Sequence, residues 1–339
     1  MKKLSLMGAT AIAAVVLASG IARAEPPKVE ILMSPSGSGP YLAWATFQNY
    51  AHEYTDKIRP VAVETPGFAY NVRYLAQTPA KWKNTIIGSG EVVEWAAAKG
   101  IKPFFPKPLA AAKDFRILGS MSVTSNLFVT LDPKIKSPKD FIGKRVAVGL
   151  LTQNEWGMHQ RMMLDAWGIT KKLKSFDALG PGQNINALLD GRSDIGTLVV
   201  HSSLGYAYNL EPGPFKTLES SRRPWFYVNV PKAMIESYIK KTGAPFLVRE
   251  IKAGTFTNQP TAITTFGNHT LLTVHKSFPE ELAYEFVKTW LKMGPKIGKY
   301  SAIGRIWDPQ TIASVAKTHP ELLHPGARRA YIEAGIIKG

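Results

Sequence analysis

Short apolar runs alternate with longer amphipathic segments over residues 28–99. Apolar runs of about four to eight residues are typical of buried strands, and apolar positions that recur every three or four residues are typical of helices. The predicted strands are residues 29–33, 58–65 and 85–88, and the predicted helices are residues 41–54, 69–76 and 92–99. Strands and helices that alternate in this way predict a parallel sheet with right-handed crossovers.

A second series of strands and helices follows a proline-rich segment, residues 101–113. Ser137 and Asp140 form a capping-box pattern, which predicts a short helix. Further strands are predicted at residues 116–131, 175–179, 194–200 and 262–274, and further helices at residues 160–167, 185–189, 280–292 and 309–317. Residues 219–259 have the least regular pattern. The two series predict an α/β protein of two wound units, in which ligands bind at loops after the carboxyl ends of strands.

Residues 1–24 have the pattern of a cleaved secretory signal peptide. Lys2 and Lys3 precede an uncharged run, and Ala22 and Ala24 provide the small residues that signal peptidase requires. The run is too short to span a bilayer unaided. We therefore expect a mature chain that starts near Glu25 and resides in the periplasm.

The composition narrows the classes of partner. Removing three basic residues with the signal peptide lowers the net charge from +17 to +14, and the remaining charge is spread along the chain without a long basic run. Export makes nucleic acid an improbable partner, and the charge fits solubility and mild attraction of anionic solutes. The chain has no cysteine, which excludes disulfides, thiolate chemistry and a lipid anchor. We expect a monomer.

No catalytic or metal-binding motif is recognisable. The nucleophile elbow, the phosphate-binding loop and the zinc-binding helix motif are all absent from the sequence. His319 and His324 are the closest pair of histidines, and their spacing does not place them on one helix face. Glu91, Glu94 and Glu155 are candidates for acid–base work, although solvated or capping roles are the commoner explanation. We expect no cofactor and no metal.

Six loops rich in small hydrogen-bonding residues fall between predicted strands and helices. Such loops place hydroxyl groups and free backbone N–H groups where a ligand can reach them. The loops are residues 34–40, 65–71, 88–91, 152–156, 180–184 and 201–203. Together they predict a cleft between two lobes.

The C-terminal segment HPELLHPGARRAYIEAGIIK resembles the end of the TAXI solute receptors of TRAP transporters. SPSGSGPY, TPGFAYNVRYLA and GSGEVVEWA resemble the first three ligand loops of that family, and SPKDFIGKRVAVG and NALLDGRSDIGTLVV resemble later segments in the same order. The third loop has Glu91 where aspartate is more usual. The resemblance extends over essentially the whole mature chain.

The resemblance implies the two-lobed α/β fold of type II periplasmic binding proteins, each lobe being a mostly parallel sheet with flanking helices. The first lobe would comprise residues 25–123 and 263–339 and the second residues 124–262, with hinges within residues 121–130 and 262–274. The protein would close on a small organic solute, expected to be an organic acid, and deliver it to the membrane subunits of a TRAP transporter. Three alternatives remain open: an ABC-type receptor of the same fold, a bilobal enzyme such as a transferase, and a basic surface protein.

One loop departs from the family pattern. Residues 152–156 read TQNEW where glycine, serine and threonine are usual, so that Glu155 and Trp156 argue against a simple glutamate-like solute. Hydroxyl and amide groups would orient the solute, aromatic rings would exclude water, and Glu91 or Glu155 would accept a hydrogen bond. The predicted ligand-binding residues are Ser36, Ser38, Tyr41, Phe68, Asn71, Ser89, Glu91, Thr152, Asn154, Glu155, Trp156, Asn184, His201 and Ser202.

Overall fold

One continuous sheet runs through the protein. The computed structural model describes residues 25–36 and 38–339, and the predicted signal peptide lies outside the described residues. The strands are β1 (Lys28–Leu32), β2 (Arg59–Val63), β3 (Thr85–Gly90), β4 (Phe115–Thr130), β5 (Arg145–Val148), β6 (Ser175–Ala178), β7 (Ile195–Ser202), β8 (Asn209–Leu210), β9 (Phe226–Val228), β10 (Leu247–Ile251), β11 (Ile263–Gly267) and β12 (His269–His275). The main order across the sheet is β2-β1-β3-β12-β4-β7-β5-β6.

Two parallel groups of strands lie at the two ends of this sheet. In the first group β1 pairs in parallel with β2 and β3. In the second group β5 pairs in parallel with β6 and β7. Successive strands of each group are connected by segments that contain helices, as parallel pairing requires. The predicted pair of wound units is therefore confirmed.

The long strand β4 joins the two groups. The sequence predicts strand structure in two runs, and the structure has one strand of 16 residues. Its first half pairs antiparallel with β12 up to Val123, and its second half pairs antiparallel with β7 from Val123 onward. The return connection is β11 to β12: Phe266 of β11 pairs with Asn126, on the second half of β4.

Most of the helices lie where the amphipathic segments predict them. They are α1 (Gly39–Tyr50), α2 (Phe68–Gln77), α3 (Glu91–Lys99), α4 (His159–Ala166), α5 (Pro181–Leu189), α6 (Gly213–Ser220), α7 (Lys232–Thr242), α8 (Glu280–Ile297), α9 (Pro309–Ile312), α10 (Ser314–Thr318) and α11 (Pro325–Glu333). Among residues 25–36 and 38–339, every helix falls short of the length and apolar character that crossing a membrane requires.

Three predictions about helices need comment. The capping box is confirmed, because the N–H of Ser137 donates to Asp140 Oδ2 over 2.8 Å at the start of a 3₁₀ turn, Pro138–Phe141. The helix predicted over residues 309–317 is two short helices, because Ala313 leaves helical geometry. The irregular stretch 219–259 contains α7, whose periodicity is weak because Ile235 is its one fully buried side chain.

An aromatic core stabilises the first group of strands. The Trp44 ring lies 5.1 Å from that of Trp290 and 4.6 Å from that of Trp307, and all three side chains are fully buried. The indole nitrogen of Trp44 lies 3.1 Å from the sulfur of Met121 on β4. This packing holds the C-terminal segment that contains Trp290 and Trp307 against α1 and β4.

Candidate functional site

A cavity lies between loops from the two groups of strands. It contains about 490 Å³ of space, part of it open to solvent. Its lining residues are Ser34, Pro35, Ser38, Pro40, Gly67, Phe68, Gln153, Asn154, Glu155, Trp156 and His201. The first six follow β1 and β2, the next four follow β5, and His201 lies near the end of β7, so both halves of the sheet contribute to one cavity.

The loop after β1 brings two serine hydroxyls to the cavity. Ser34 Oγ and Ser38 Oγ lie 2.6 Å apart, and Ser38 caps α1 by accepting a hydrogen bond from the N–H of Tyr41 over 3.4 Å. Ser36 is exposed, and its N–H donates to Glu64 Oε1 over 2.8 Å. The Tyr41 side chain packs against the core and does not line the cavity. Of the predicted residues on this loop, only Ser38 therefore reaches the cavity.

The second loop provides an aromatic side chain that forms part of the cavity wall. Phe68 begins α2 and is 5% exposed, and a Cβ atom at Gly88 would lie 2.7 Å from its ring. Asn71, one turn further along, is fully buried, and its Nδ2 donates to the carbonyl oxygens of Met33 over 2.7 Å and Gly88 over 3.0 Å. Asn71 thus joins the ends of β1 and β3. Asn71 is not among the residues that line the cavity, and its contact with solute stays a prediction.

The opposite wall is a π-helical turn, Asn154–Met158, that leads into α4. The turn is pinned to the end of β5 because the N–H of Gly149 donates to the carbonyl oxygen of Trp156 over 2.7 Å. A Cβ at Gly157 would lie 2.2 Å from the carbonyl oxygen of Gly149, so only glycine fits there. Such turns are uncommon and occur frequently at functional sites.

Glu155 is a buried acid at the cavity wall. Its Oε1 accepts a hydrogen bond from Asn154 Nδ2 over 2.7 Å, and its side chain lies among residues that are largely excluded from water. Burial raises the pKa of Glu155 to about 8, against smaller lowering contributions from its own backbone N–H and from Asn154. The carboxyl group is therefore mostly protonated at pH 7 when nothing compensates its charge.

His201 forms the floor of the cavity at the end of β7. Its Nδ1 lies 3.0 Å from the hydroxyl of Ser122 on β4, which in turn lies 2.6 Å from that of Thr270 on β12. Burial lowers the pKa of His201 to about 4, so the ring is neutral at pH 7. His201 is thereby linked to β4 directly and, through Ser122, to β12.

Two predicted residues of the third loop contact protein groups elsewhere. Ser89 is fully buried and donates to Glu94 Oε1 over 2.5 Å, with Thr273 Oγ1 2.8 Å away. Glu91 accepts from His269: Oε1 lies 2.9 Å from Nδ1 and Oε2 lies 3.1 Å from the backbone nitrogen. Neither side chain lines the cavity.

Three further predicted residues of the second half also lie outside the cavity lining. Thr152 has an exposed side chain. Asn184 is buried in the first turn of α5, where its Oδ1 accepts from the N–H of Thr197 over 2.8 Å. Ser202 donates to Asn209 Oδ1 over 2.7 Å. The hydrogen bonds of Asn184 and Ser202 hold local structure together, because a buried polar group needs a partner.

Six of the predicted residues thus line one cavity: Ser38, Phe68, Asn154, Glu155, Trp156 and His201. Whether they contact a solute stays a prediction. The sequence analysis missed Ser34, Pro35, Pro40, Gly67 and Gln153, all of which lie in loops it singled out. The described residues contain no group of three or more His, Asp or Glu side chains arranged to hold a metal ion.

Comparison with known proteins agrees with this architecture. The chain matches the NMT1-like family over residues 35–335. A protein from Xanthomonas citri, solved bound to ATP, is 12% identical with a TM-score of 0.51 over 89% of this chain and 98% of that one. A TctC solute binding protein from Polaromonas, solved without ligand, is 14% identical with a TM-score of 0.50 over 91% and 98% of the two chains. No curated protein matches. The fold is the two-lobed α/β fold of type II periplasmic binding proteins.

Proposed function

The chain belongs to the NMT1-like family, and from that premise we propose that it is a periplasmic receptor that captures a small organic solute between its two lobes. The observation that carries the proposal is the shared cavity. Phe68 from one half and Trp156 from the other line the same space. A site that needs both halves is completed only when they come together, so binding energy favours the closed arrangement.

The connections between the halves suit such closure. We propose that residues 25–123 and 263–339 form one lobe and residues 124–262 the other, as the sequence suggests, with one adjustment. Because β11 pairs with β10 and with the second half of β4, residues 263–267 are better grouped with the second lobe. The hinges would then lie near Val123 and Asn268, where β4 and the β11–β12 connection pass between lobes.

The lining does not support the organic acid expected from the sequence. Among the described residues around the cavity there is no lysine or arginine, His201 is neutral at pH 7, and Glu155 is an acid. A carboxylate solute would have to leave water without a cationic partner. We therefore keep the broader class, a small organic solute, in the proposed function.

We propose that the receptor delivers its solute to membrane subunits of a transporter and itself catalyses no reaction. The C-terminal segment supports a TAXI receptor and hence TRAP subunits, with export by residues 1–24. Membership of the NMT1-like family supports an ABC importer of the same fold equally well. The two are separated by solute uptake in cells: a TRAP system loses uptake when the ion gradient is collapsed, and an ABC system loses it when ATP is depleted.

The direct test is to purify residues 25–339, denature the protein and identify released small molecules by mass spectrometry. The released compound is then added back in a thermal unfolding experiment. A true solute at a hundredfold excess over its dissociation constant adds about 2.7 kcal/mol of stability. If the protein releases no compound and a broad panel of organic acids, amines and amino acids leaves the melting temperature unchanged, the receptor function is wrong. Recovery of a chemically altered compound would instead support a transferase.

A further inference from the structure

Two side chains around the cavity carry oxygens that can accept a hydrogen bond from a solute. Glu155 presents a carboxyl group with one oxygen bonded to Asn154. Gln153 Oε1 is excluded from water and has no hydrogen-bond partner within the described structure, although its side chain lines the same cavity. An unpaired buried carbonyl oxygen is costly, so a native site usually supplies its donor from water or a ligand.

Some of the donors near these acceptors already have partners within the protein. The hydroxyls of Ser34 and Ser38 are bonded to each other, and Asn154 Nδ2 is bonded to Glu155. A solute that brings several N–H donors would satisfy Gln153 Oε1 and also pair with the Glu155 carboxyl group. A protonated amine carries up to three N–H donors and one positive charge, and the charge would compensate the carboxylate.

The walls fit the remainder of such a molecule. Phe68 is 5% exposed, and Trp156 is partly exposed beside Glu155. Aromatic faces attract a cation and also cover an apolar body. We propose, resting on the receptor function proposed above, that the solute carries a protonated amine that is bound by Glu155 and Gln153 between Phe68 and Trp156.

The elevated pKa of Glu155 links amine binding to the release of a proton. Asn154 is the side chain bonded to its carboxyl group, and His201 in the same cavity is neutral at pH 7. The acid is therefore mostly protonated before the amine arrives, and it ionises when the ammonium group pairs with it. Binding at pH 7 then releases close to one proton from the protein.

The experiment uses matched probes on one carbon skeleton. Phenethylamine, 2-phenylethanol and phenylacetate, and the corresponding linear four- and six-carbon sets, are titrated calorimetrically into wild-type protein from which bound compounds have been removed. The amine of at least one set is expected to bind at least about tenfold more tightly than its alcohol and its acid. Titration in two buffers with different ionisation enthalpies is expected to show proton release.

Glu155→Gln is expected to lower amine affinity by about thirtyfold or more and to abolish proton release, because the amide keeps the shape and loses the charge. Glu94→Gln is the matched control, since Glu94 is also a buried carboxyl but bonds to Ser89 outside the cavity. Its amine affinity is expected to match that of the wild type. If Glu155→Gln does not fold, the proton count of the wild type decides.

Three outcomes would overturn the inference. The first is an acid or alcohol that binds as tightly as its matched amine in every set that binds. The second is amine binding that persists in Glu155→Gln, and the third is a compound released from purified protein that lacks a basic nitrogen. In each case a solute still binds, so the receptor function stands. If no probe binds and no compound is released, the receptor function fails and this inference fails with it.

Discussion

Gly67 and Thr152 meet across the cleft. A Cβ atom on Gly67 would lie 3.2 Å from the carbonyl oxygen of Thr152, and the two residues belong to loops of opposite halves. Gly67 also has φ of 132° and ψ of −179°, a conformation that is essentially restricted to glycine. The close approach of the halves at this point therefore depends on the missing side chain.

Gly67→Ala is expected to weaken solute binding by about tenfold or more, because the new methyl group strains the loop and meets Thr152 on closure. Gly143→Ala is the matched control, since Gly143 has φ of 74° and no atom within 4 Å of its added Cβ. Both variants should lose about 1 kcal/mol or more of stability, and only Gly67→Ala should lose affinity. Equal affinities by calorimetry would contradict closure at this contact.

Glu155→Gln is expected to stabilise the solute-free protein increasingly as pH rises. In the folded state Glu155 keeps its proton up to a pKa of about 8, whereas in the unfolded state it loses the proton near pH 4.5. Between these two pH values, ionisation of the unfolded state lowers the free energy of unfolding of the wild type. The variant should gain about 3 kcal/mol over wild type at pH 7 and little at pH 4.

Urea unfolding at pH 4, 6 and 8 measures this difference. Glu236→Gln, at an exposed position on α7, is the control and should differ from wild type by the same small amount at each pH. A Glu155→Gln gain that does not change with pH would show that the carboxyl is solvated and ionised throughout.

His159 is expected to destabilise the protein in acid. Its ring is fully buried on α4 with Nδ1 3.1 Å from Asn126 Nδ2, and burial lowers its pKa to about 3. The unfolded chain takes up the proton near pH 6.5 and the folded chain does not, so stability present above pH 6.5 is lost as pH falls. At pH 5 this loss amounts to about 2 kcal/mol.

The check is the pH dependence of the unfolding free energy between pH 7 and pH 4.5. His159→Gln should reduce the slope below pH 6.5 by close to one proton, because His201 keeps its own contribution, whereas His319→Gln, at an exposed position, should leave the slope unchanged. If both variants retain the wild-type slope, His159 is not held neutral by burial.

Glu91→Gln is expected to leave solute affinity within about threefold of wild type and to lower stability by about 1–3 kcal/mol, because it disrupts the hydrogen bonds to His269. Calorimetric titration and thermal unfolding of the same preparation measure the two effects. A large loss of affinity with unchanged stability would show instead that Glu91 binds the solute.

The sequence predicts loops better than it predicts the roles of their residues. The strand, loop and helix order places Phe68 and Trp156 at the ends of buried strands, and the unusual composition of residues 152–156 singles out the wall that bears Glu155. Local pattern suffices there because the carboxyl ends of parallel strands meet at one edge.

The protein partners of the predicted residues outside the cavity could not be recognised in this way. Glu91 pairs with a histidine 178 residues further along the chain, and Ser89 with a threonine 184 residues further along. Asn71 binds the carbonyl oxygens at the ends of two strands. Such partners are adjacent only in the folded sheet, so a loop asparagine or glutamate has the same appearance in the sequence whether it binds a solute or the backbone.

The affinity of the released compound for Phe68→Ala and Trp156→Ala tests the central claim most directly. These residues face one cavity from opposite lobes, and exposed Tyr300→Ala is the control for loss of an aromatic side chain. The account predicts that each cavity variant loses about tenfold or more in affinity, since each removes one wall, while Tyr300→Ala binds as wild type does. Wild-type affinity in both Phe68→Ala and Trp156→Ala would contradict a solute site between the lobes.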